Sequence, residues 1–330
     1  MATDATNCKL KEISFEILQK CPNNCIYCSS NSSIHCKPMV SFSVFKDVIE
    51  DAIELGLERL CISGGEPFLH PDLLKMISFA KQKNLEVFVY TSGILEDNGR
   101  KTSLTEDTIN QLKQLKLDKL IFNFQASESN LYDEIMGTTK CFDLVVDSIH
   151  KATTAEIYTE AHFVPMKINY QKIDQVVNVL KDLKVNQISF LRLVLQGRAL
   201  KNKERVQFSD ADMKELNDTL DQLRNNEKDL KVRVGIPLSR EQEHIQCNAG
   251  TGKLIIRYDG AVYPCEAYKY IDCIKNKRVY PDNINTKSLK EIWSNSPFLS
   301  ILREKIDSFH NQDFSCEVCP AQMLLKEEIK

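Results

Sequence analysis

Strand-like and helix-like segments alternate six times between residues 12 and 226. Each short run rich in β-branched and aromatic residues is followed by a stretch with the apolar spacing of an amphipathic helix. The predicted strands are 12–18, 59–63, 86–91, 119–124, 157–164 and 187–194. Such alternation favours parallel strands joined by right-handed crossovers. Six units are fewer than the eight of a closed barrel, so we predict an α/β fold with a partial (β/α)6 TIM-like barrel.

The pattern changes after about residue 235. The stretch "KLIIRYDGAVYPC" contains two short strand-like runs around Asp259 and Gly260, a pair of residues typical of a hairpin turn. Two short helical segments, "SLKEIW" and "PFLSILREKI", follow it. We therefore expect two domains, a partial-barrel core over 1–235 and a small α+β, cysteine-bearing domain over 236–330.

Charge and hydropathy exclude several classes of partner. The 330-residue chain has a net charge of −3 and a pI of about 6.1, which gives no general attraction to nucleic acid or to an anionic membrane. The N-terminus lacks the apolar core of a signal peptide, and no apolar run approaches the ~18 residues of a membrane span. We expect a cytoplasmic protein without nucleic-acid or membrane partners. Twelve cysteines are many for a reducing compartment, and their grouping favours metal ligation.

The first cysteine group is "CPNNCIYC", which contains Cys21, Cys25 and Cys28 directly after the first predicted strand. Chemistry in βα-barrels takes place at this end of the strands. Structural zinc sites use four ligands and commonly include a CxxC pair such as Cys25 and Cys28. An iron–sulfur cube also takes four ligands, so three thiolates would leave one iron open to an exogenous ligand. The spacing alone is compatible with both.

The CxxxCxxC spacing, with the aromatic Tyr27 before the third cysteine, resembles the signature of radical S-adenosylmethionine (SAM) enzymes. This resemblance implies a [4Fe–4S] cluster whose open iron binds SAM. Reductive cleavage of SAM would then give a 5′-deoxyadenosyl radical that abstracts hydrogen from a substrate C–H bond. The stretch "SGGEP" closes the second predicted strand and would otherwise indicate a tight turn. It resembles the family motif that meets the amino group of SAM, which implies cofactor-binding roles for Gly64, Gly65, Glu66 and Pro67.

Further positions follow from weaker resemblances. Asn123, near the end of the fourth predicted strand, and Gln125, directly after it, stand where the family usually has Ser and Asp, and they are expected to bind ribose or carboxylate groups. Arg192, on the sixth predicted strand, would pair either with the SAM carboxylate or within a buried structural ion pair. Some relatives use an additional cysteine as a hydrogen-atom donor, and the candidates for this role are Cys36, Cys141 and Cys273.

The second cysteine group has the spacing C-x12-G-x4-C, from Cys247 through Gly260 to Cys265, followed by Cys316 and Cys319 in "CEVC". Four cysteines in two pairs would equally suit zinc. The whole arrangement resembles the SPASM extension of radical SAM enzymes in its shortened twitch form. That resemblance implies one auxiliary [4Fe–4S] cluster held by all four thiolates.

We therefore expect a radical SAM enzyme with two [4Fe–4S] clusters, SAM and a flavodoxin- or ferredoxin-type electron donor. Its expected role is peptide or natural-product maturation. One alternative is radical dehydrogenation or epimerisation of a small molecule such as an aminosugar alcohol. An alternative of another class is a non-catalytic, zinc-stabilised binding protein.

Overall fold

The structure is a computed structural model that describes residues 8–235, 238, 247–274, 277–310 and 319–321. Its strands are β1 (Glu12–Glu16), β2 (Arg59–Ser63), β3 (Glu86–Thr91), β4 (Ile94–Asp97), β5 (Arg100–Ser103), β6 (Lys119–Asn123), β7 (Thr159–Phe163), β8 (Gln187–Phe190), β9 (Lys231–Val234), β10 (Lys253–Ile256) and β11 (Val262–Tyr263). Nine of them form one sheet in the order β11-β10-β1-β2-β3-β6-β7-β8-β9, while β4 and β5 form a separate hairpin.

The helices are α1 (Phe42–Glu54), α2 (Leu73–Gln82), α3 (Glu106–Gln114), α4 (Ser129–Met136), α5 (Phe142–Thr154), α6 (Ile173–Asp182), α7 (Arg198–Lys201), α8 (Lys203–Val206), α9 (Asp210–Asn226), α10 (Leu289–Asn295) and α11 (Pro297–His310). Single 3-10 turns lie at Pro67–Leu69, Tyr170–Lys172 and Glu266–Tyr268. No helix in the described part of the chain combines the length and the apolar character needed to cross a bilayer.

The six predicted strands are β1, β2, β3, β6, β7 and β8, and each pairs in parallel with the next. Their apolar residues and the apolar faces of the crossover helices form one continuous core. Helix α1 shows why: Phe45, Val48, Ile49 and Ala52 lie on one face at helical spacing and are buried. The predicted parallel partial barrel is confirmed.

Helix starts follow the local capping chemistry. Ser209 is the N-cap of α9, where its hydroxyl accepts from the Asp212 amide at 3.2 Å and the Asp212 carboxylate accepts from the Ser209 amide at 2.9 Å. This reciprocal capping box satisfies amide groups that have no partner within the helix. It also fixes where the last crossover of the barrel begins.

The C-terminal segment joins the barrel sheet rather than forming a sheet of its own. Strand β10 pairs in parallel with β1, from Glu12 with Lys253 to Phe15 with Ile256, and β11 continues antiparallel to β10. The hairpin predicted around Asp259 and Gly260 is therefore present, and it extends the sheet at the β1 edge. The boundary at 235 and 236 stays a prediction.

Three strands, β9, β4 and β5, were not predicted. Strand β9 (Lys231–Val234) extends the parallel run beyond β8. The hairpin of β4 and β5 turns at Asn98 and Gly99, which both have positive φ. An Asn-Gly pair is a strong hairpin indicator, so this hairpin could have been predicted from the sequence.

Candidate active site

A cavity of about 850 Å³ lies inside the curve of the sheet. Its wall includes side chains from β1 and β10 at one end of the strand order and from β8 and β9 at the other, so the sheet bends around the space. Because successive strand residues face opposite sides, the inward positions are alternate ones. They include the pairs Ser14 and Glu16, Phe88 and Tyr90, and Glu160 and His162.

The first cysteine group forms a loop that follows the carboxyl end of β1. Cys21 and Cys25 are buried and Cys28 is half-buried, and all three line the cavity. Two neighbouring elements hold the loop. The Ile26 amide donates to the Ile135 carbonyl at 2.9 Å, and Arg198 Nε donates to the Cys25 carbonyl at 2.7 Å. The cysteines are therefore fixed at the mouth of the barrel, where the sequence places them.

The thiols lie close enough to influence one another electrostatically. Burial raises the pKa of Cys21, and the neighbouring Cys25 thiol adds to that increase. Burial and then Cys28 raise the pKa of Cys25 to about 12, against a smaller opposing effect from Arg198. Thiolates in such a place need a cationic partner, which metal ions supply.

Two further observations bear on which metal centre fits. Among the described residues, no three His, Cys, Asp or Glu side chains converge closely enough to hold a single metal ion. Between Cys21 and Cys25, the buried side chain of Asn23 has no hydrogen-bond partner for either Oδ1 or Nδ2. A buried amide without partners is costly, and it is suited to face a bound polar group in the cavity. The three thiols and this amide fit a cluster with a bound cofactor.

The "SGGEP" turn packs against the start of the cysteine loop. A Cβ atom on Gly64 would lie 2.4 Å from the Leu18 carbonyl oxygen, and one on Gly65 would lie 2.1 Å from the Lys20 carbonyl oxygen. The Gly65 amide donates to the Leu18 carbonyl at 2.7 Å. Both glycines line the cavity, but the close approach that requires them is to the chain's own backbone. The need for glycine at these two positions therefore comes from contact with the backbone of Leu18 and Lys20.

Glu66 braces the turn from inside the protein. Its buried carboxylate accepts from the Ser92 amide at 2.7 Å, the Ser92 hydroxyl at 2.6 Å and the Thr91 hydroxyl at 2.7 Å. Burial raises its pKa, against these hydrogen bonds. Pro67 is buried and starts a 3-10 turn for which Glu66 is the N-cap. Neither side chain belongs to the described wall of the cavity, so both act on the shape of the turn.

Of the two residues expected to bind the cofactor, Asn123 and Gln125, only Asn123 belongs to the described wall of the cavity. Asn123 lines the cavity, where its Oδ1 accepts from the Tyr27 hydroxyl at 2.7 Å and also from Gln125 Nε2. Gln125 is fully buried, and its Oε1 accepts from the Val164 amide at 2.9 Å. Its side chain therefore joins the ends of β6 and β7 and is not part of the described cavity wall. Tyr27 and Asn123 tie the cysteine loop to the sheet.

Arginine assignments also change. Arg192 lies beyond the end of β8 at Phe190, outside the described cavity wall, so it is not on a strand as predicted. The cavity is lined instead by Arg198, which holds the carbonyl of Cys25 and donates its own amide to the Cys28 carbonyl at 3.0 Å. A basic run extends from Arg198 to Arg205 in the sequence. In the structure its first member supports the cysteine loop.

The three candidate hydrogen donors do not reach the cavity wall within the described chain. Cys141 is fully buried, with its sulfur 3.0 Å from the Thr138 hydroxyl. Cys36 is half-buried, with its sulfur 3.4 Å from the Ser33 hydroxyl, and Cys273 is also half-buried. The geometry gives no support to a donor role for any of them.

Three members of the second cysteine group lie near Tyr268. Cys247, Cys265 and Cys319 are half-buried, and Cys316 lies outside the described residues. The pKa of Tyr268 is raised by burial and then by the nearby thiolates of Cys265, Cys247 and Cys319. The Tyr268 hydroxyl is buried without a hydrogen-bond partner. Several thiols around an orphaned hydroxyl donor fit a sulfide-containing cluster.

Sequence reasoning missed the polar groups inside the barrel. They are Glu16 with Ser30 and Lys269, and Glu160 with Lys119, His162 and Ser189. Polar residues at every second position of otherwise apolar strands, as in Glu160 and His162, were the indication that could have found them. A polar residue on the inner face of a barrel points to a cavity rather than to a sealed core.

Comparison with known proteins identifies the class. The sequence model of the radical SAM superfamily matches residues 15–190, and that of the SPASM iron–sulfur cluster-binding domain matches residues 247–320. This chain belongs to the radical SAM superfamily. The predicted enzyme class is confirmed, as are its cofactors, a [4Fe–4S] cluster with SAM and an auxiliary iron–sulfur cluster. The zinc-stabilised binding protein is thereby set aside.

Two relatives share the name PqqA peptide cyclase. The one from Gluconobacter oxydans is 26% identical over 291 residues, which are 87% of this chain and 77% of the relative. The one from Rhizobium meliloti is 24% identical over 308 residues, which are 92% of this chain and 77% of the relative. Streptococcus suis SuiB bound to S-adenosylmethionine shares the fold, with a TM-score of 0.73 and 17% identity over 90% of this chain and 68% of SuiB.

Proposed function

We propose that this radical SAM enzyme modifies a peptide, forming a new bond within it. The observation that carries the proposal is the pair of peptide cyclases that match 87% and 92% of the chain. The cavity agrees with it: its volume of about 850 Å³ lies in the upper part of the range for ligand sites, and its wall carries both donors and acceptors. A peptide side chain could enter beside SAM and find polar partners along β7 and β8.

The residues of this chain would act as follows. Cys21, Cys25 and Cys28 would hold the cluster that binds SAM, and together the two supply the radical that removes hydrogen from the substrate. Arg198, Tyr27 and Asn123 would keep the loop in place through the bonds described above. The backbone at Gly64 and Gly65, together with Asn23, would present polar groups to SAM along the cavity wall.

The C-terminal cysteines would hold the auxiliary cluster, with ligands Cys247, Cys265, Cys316 and Cys319. A flavodoxin- or ferredoxin-type protein would deliver electrons to the first cluster. Free thiolate ligands require a compartment that keeps cysteines reduced, which agrees with a cytoplasmic location. These assignments complete the proposed holoenzyme of two clusters and SAM.

The test uses anaerobically reconstituted enzyme, SAM and reduced flavodoxin. One arm contains synthetic peptides encoded beside the gene, and the other contains aminosugar alcohols. We expect 5′-deoxyadenosine and, by mass spectrometry, a peptide that has lost two hydrogens. A variant with Cys21, Cys25 and Cys28 all replaced by Ala is the control and should form neither. Oxidation of an aminosugar with the peptides unchanged would overturn the proposal in favour of the small-molecule alternative.

A further inference from the structure

A carboxylate and an imidazole form a hydrogen-bonded pair on the inner face of β7. Glu160 Oε1 lies 3.0 Å from His162 Nε2 and accepts from the Ser189 hydroxyl at 2.5 Å, while Oε2 accepts from Lys119 Nζ at 2.6 Å. Burial raises the pKa of Glu160, but the bonds from His162, Lys119 and Ser189 outweigh it and hold the pKa at about 2. The ionised carboxylate can only accept, so Nε2 carries the proton. The lone pair of the imidazole is therefore on Nδ1.

The pair lies at the level of the cysteine loop. His162 is in register with Asn123 on β6, the residue that binds the Tyr27 hydroxyl, and neighbouring strands are about 4.8 Å apart. The ring also packs edge-on against Tyr90, with centroids 5.2 Å apart. His162 lines the cavity, and in the described part of the chain its Nδ1 has no hydrogen-bond partner. Nδ1 is thus available to a bound molecule.

The surroundings keep the imidazole neutral. Burial lowers the pKa of His162, the bond to Glu160 opposes this, and the cations Arg233 on β9 and Lys119 on β6 lower it further. Tyr90 on β3 packs against the ring, and Ser189 on β8 donates to the Glu160 carboxylate that lies behind it. A neutral imidazole with a free Nδ1 and a carboxylate behind Nε2 is the arrangement of a general base.

We infer that His162 Nδ1 accepts a proton from the peptide substrate, with Glu160 as its positioning residue. This inference rests on the proposed function. Once a hydrogen atom has left the peptide, the carbon radical bonds to a nucleophilic atom of the same peptide. That atom's bond to hydrogen breaks, and the proton moves to Nδ1. The one remaining electron would be accepted by an iron–sulfur cluster, which is the oxidant of this step. The imidazolium formed is stabilised by Glu160.

Chemical labelling tests whether Nδ1 is free. Diethyl pyrocarbonate acylates unprotonated imidazole nitrogens, and peptide mass mapping of the holoenzyme reports each histidine. His150 is exposed and is the accessible control. His70 is the protected control, because its Nε2 lies 2.9 Å from the Val40 carbonyl and its Nδ1 accepts from the Asp72 amide at 3.0 Å. We expect His162 to react. Its reaction should persist at a lower pH than that of N-acetylhistidine measured alongside, because the lowered pKa keeps its imidazole unprotonated. Protection of His162 equal to that of His70 would overturn the inference.

Variants test the proton transfer itself. His162→Gln keeps a donor toward Glu160 but cannot accept a proton, so we expect about a 100-fold loss of peptide product with 5′-deoxyadenosine still formed. Added imidazole should restore part of the product, and His150→Gln should behave as wild type. Wild-type product formation by His162→Gln overturns the inference, as does a parallel fall of both products without rescue. A wild-type enzyme that modifies no peptide overturns the proposed function and this inference together. The labelling result is independent of that outcome, because it tests only whether His162 Nδ1 is free.

Discussion

The ammonium of Lys269 lies 2.7 Å from Glu16 Oε1, and both side chains are buried, with exposures of 4% and 6%. Lys269 also donates to the Ser30 hydroxyl at 2.6 Å, and Ser30 in turn donates to Glu16 at 2.8 Å. Glu16 ends β1, Ser30 follows the three cysteines, and Lys269 comes from the C-terminal segment. One ion pair therefore joins the barrel, the cysteine loop and the part of the chain that carries the second cysteine group.

Replacing Lys269 by Met should be strongly destabilising. The change leaves the Glu16 carboxylate buried without a cation, and Glu16 Oε2 already lacks a partner. Removing one member of a buried pair typically costs about 3–5 kcal/mol. Chemical denaturation followed by circular dichroism would measure the lost free energy of unfolding.

The matched control for that variant is Lys290→Met. Lys290 also connects the C-terminal segment to the barrel, through Glu54 at 2.8 Å, but its side chain is 44% exposed. Exposed pairs contribute about 0–1 kcal/mol, so this variant should stay near the wild-type stability. Equal losses in the two variants would mean that burial of the Lys269 pair is not what makes it important.

Gly65→Ala should lower both the melting temperature and the affinity for SAM. Its Cβ would lie 2.1 Å from the Lys20 carbonyl oxygen, so the cysteine loop must move, at a cost of about 3 kcal/mol. Gly252→Ala is the control, because its Cβ would meet Asn248 Cβ at an ordinary 3.4 Å. Differential scanning fluorimetry and SAM titration would follow both effects. A Gly65→Ala protein with unchanged melting temperature and lost SAM binding would place ligand, not backbone, at that position.

Acid should destabilise the protein partly through Glu160. Its pKa of about 2 lies below the ordinary value of 4.5, so the folded state favours the ionised form. The resulting stabilisation, about 3 kcal/mol, is present above about pH 5 and is lost as the pH falls toward 2. Glu160→Gln should be less stable at neutral pH and show a shallower loss over this range. Parallel unfolding curves for both proteins across the acid range would contradict the assignment.

The six barrel strands were predictable because each carries buried apolar residues on one face or on both. Such residues form a short apolar segment that is recognisable in the sequence. Strand β9 was not, because its sequence "KVRV" is short and alternates with exposed charges at the edge of the sheet. The pairing of β10 with β1 was not predictable either. It joins residues about 240 positions apart, and nothing local in the sequence specifies which sheet edge receives a distant strand.

Within the site, the spacing of residues in the sequence predicts which residues are ligands, but it does not predict where the other side chains point. The cysteine loop could be predicted because its three thiols must lie within one short segment. Glu66 and Gln125 show the limit: a motif position indicates that a residue is needed, but both side chains are used up by bonds to the ends of neighbouring strands. Arg198 shows the converse, because contact with the Cys25 carbonyl depends on a loop 173 residues away in sequence.

Iron analysis separates the two cysteine groups. The reconstituted protein should contain about eight irons per chain, in two cubes. Replacing Cys21, Cys25 and Cys28 together by Ala should leave about four irons and abolish 5′-deoxyadenosine formation. A triple variant that still cleaves SAM would contradict the assignment of the chemistry to this loop.

The converse variant, Cys316→Ala with Cys319→Ala, should also retain about four irons but keep SAM cleavage. Because the Tyr268 hydroxyl is buried without a hydrogen-bond partner near the half-buried Cys247, Cys265 and Cys319, loss of the metal should loosen that region. Hydrogen exchange should therefore increase across 247–310 while β2, β3 and β6 stay protected. If the auxiliary cluster also accepts the substrate electron, peptide product should disappear in this variant. Unchanged protection across 247–310 would refute the structural role, and full product formation would refute the electron-accepting role.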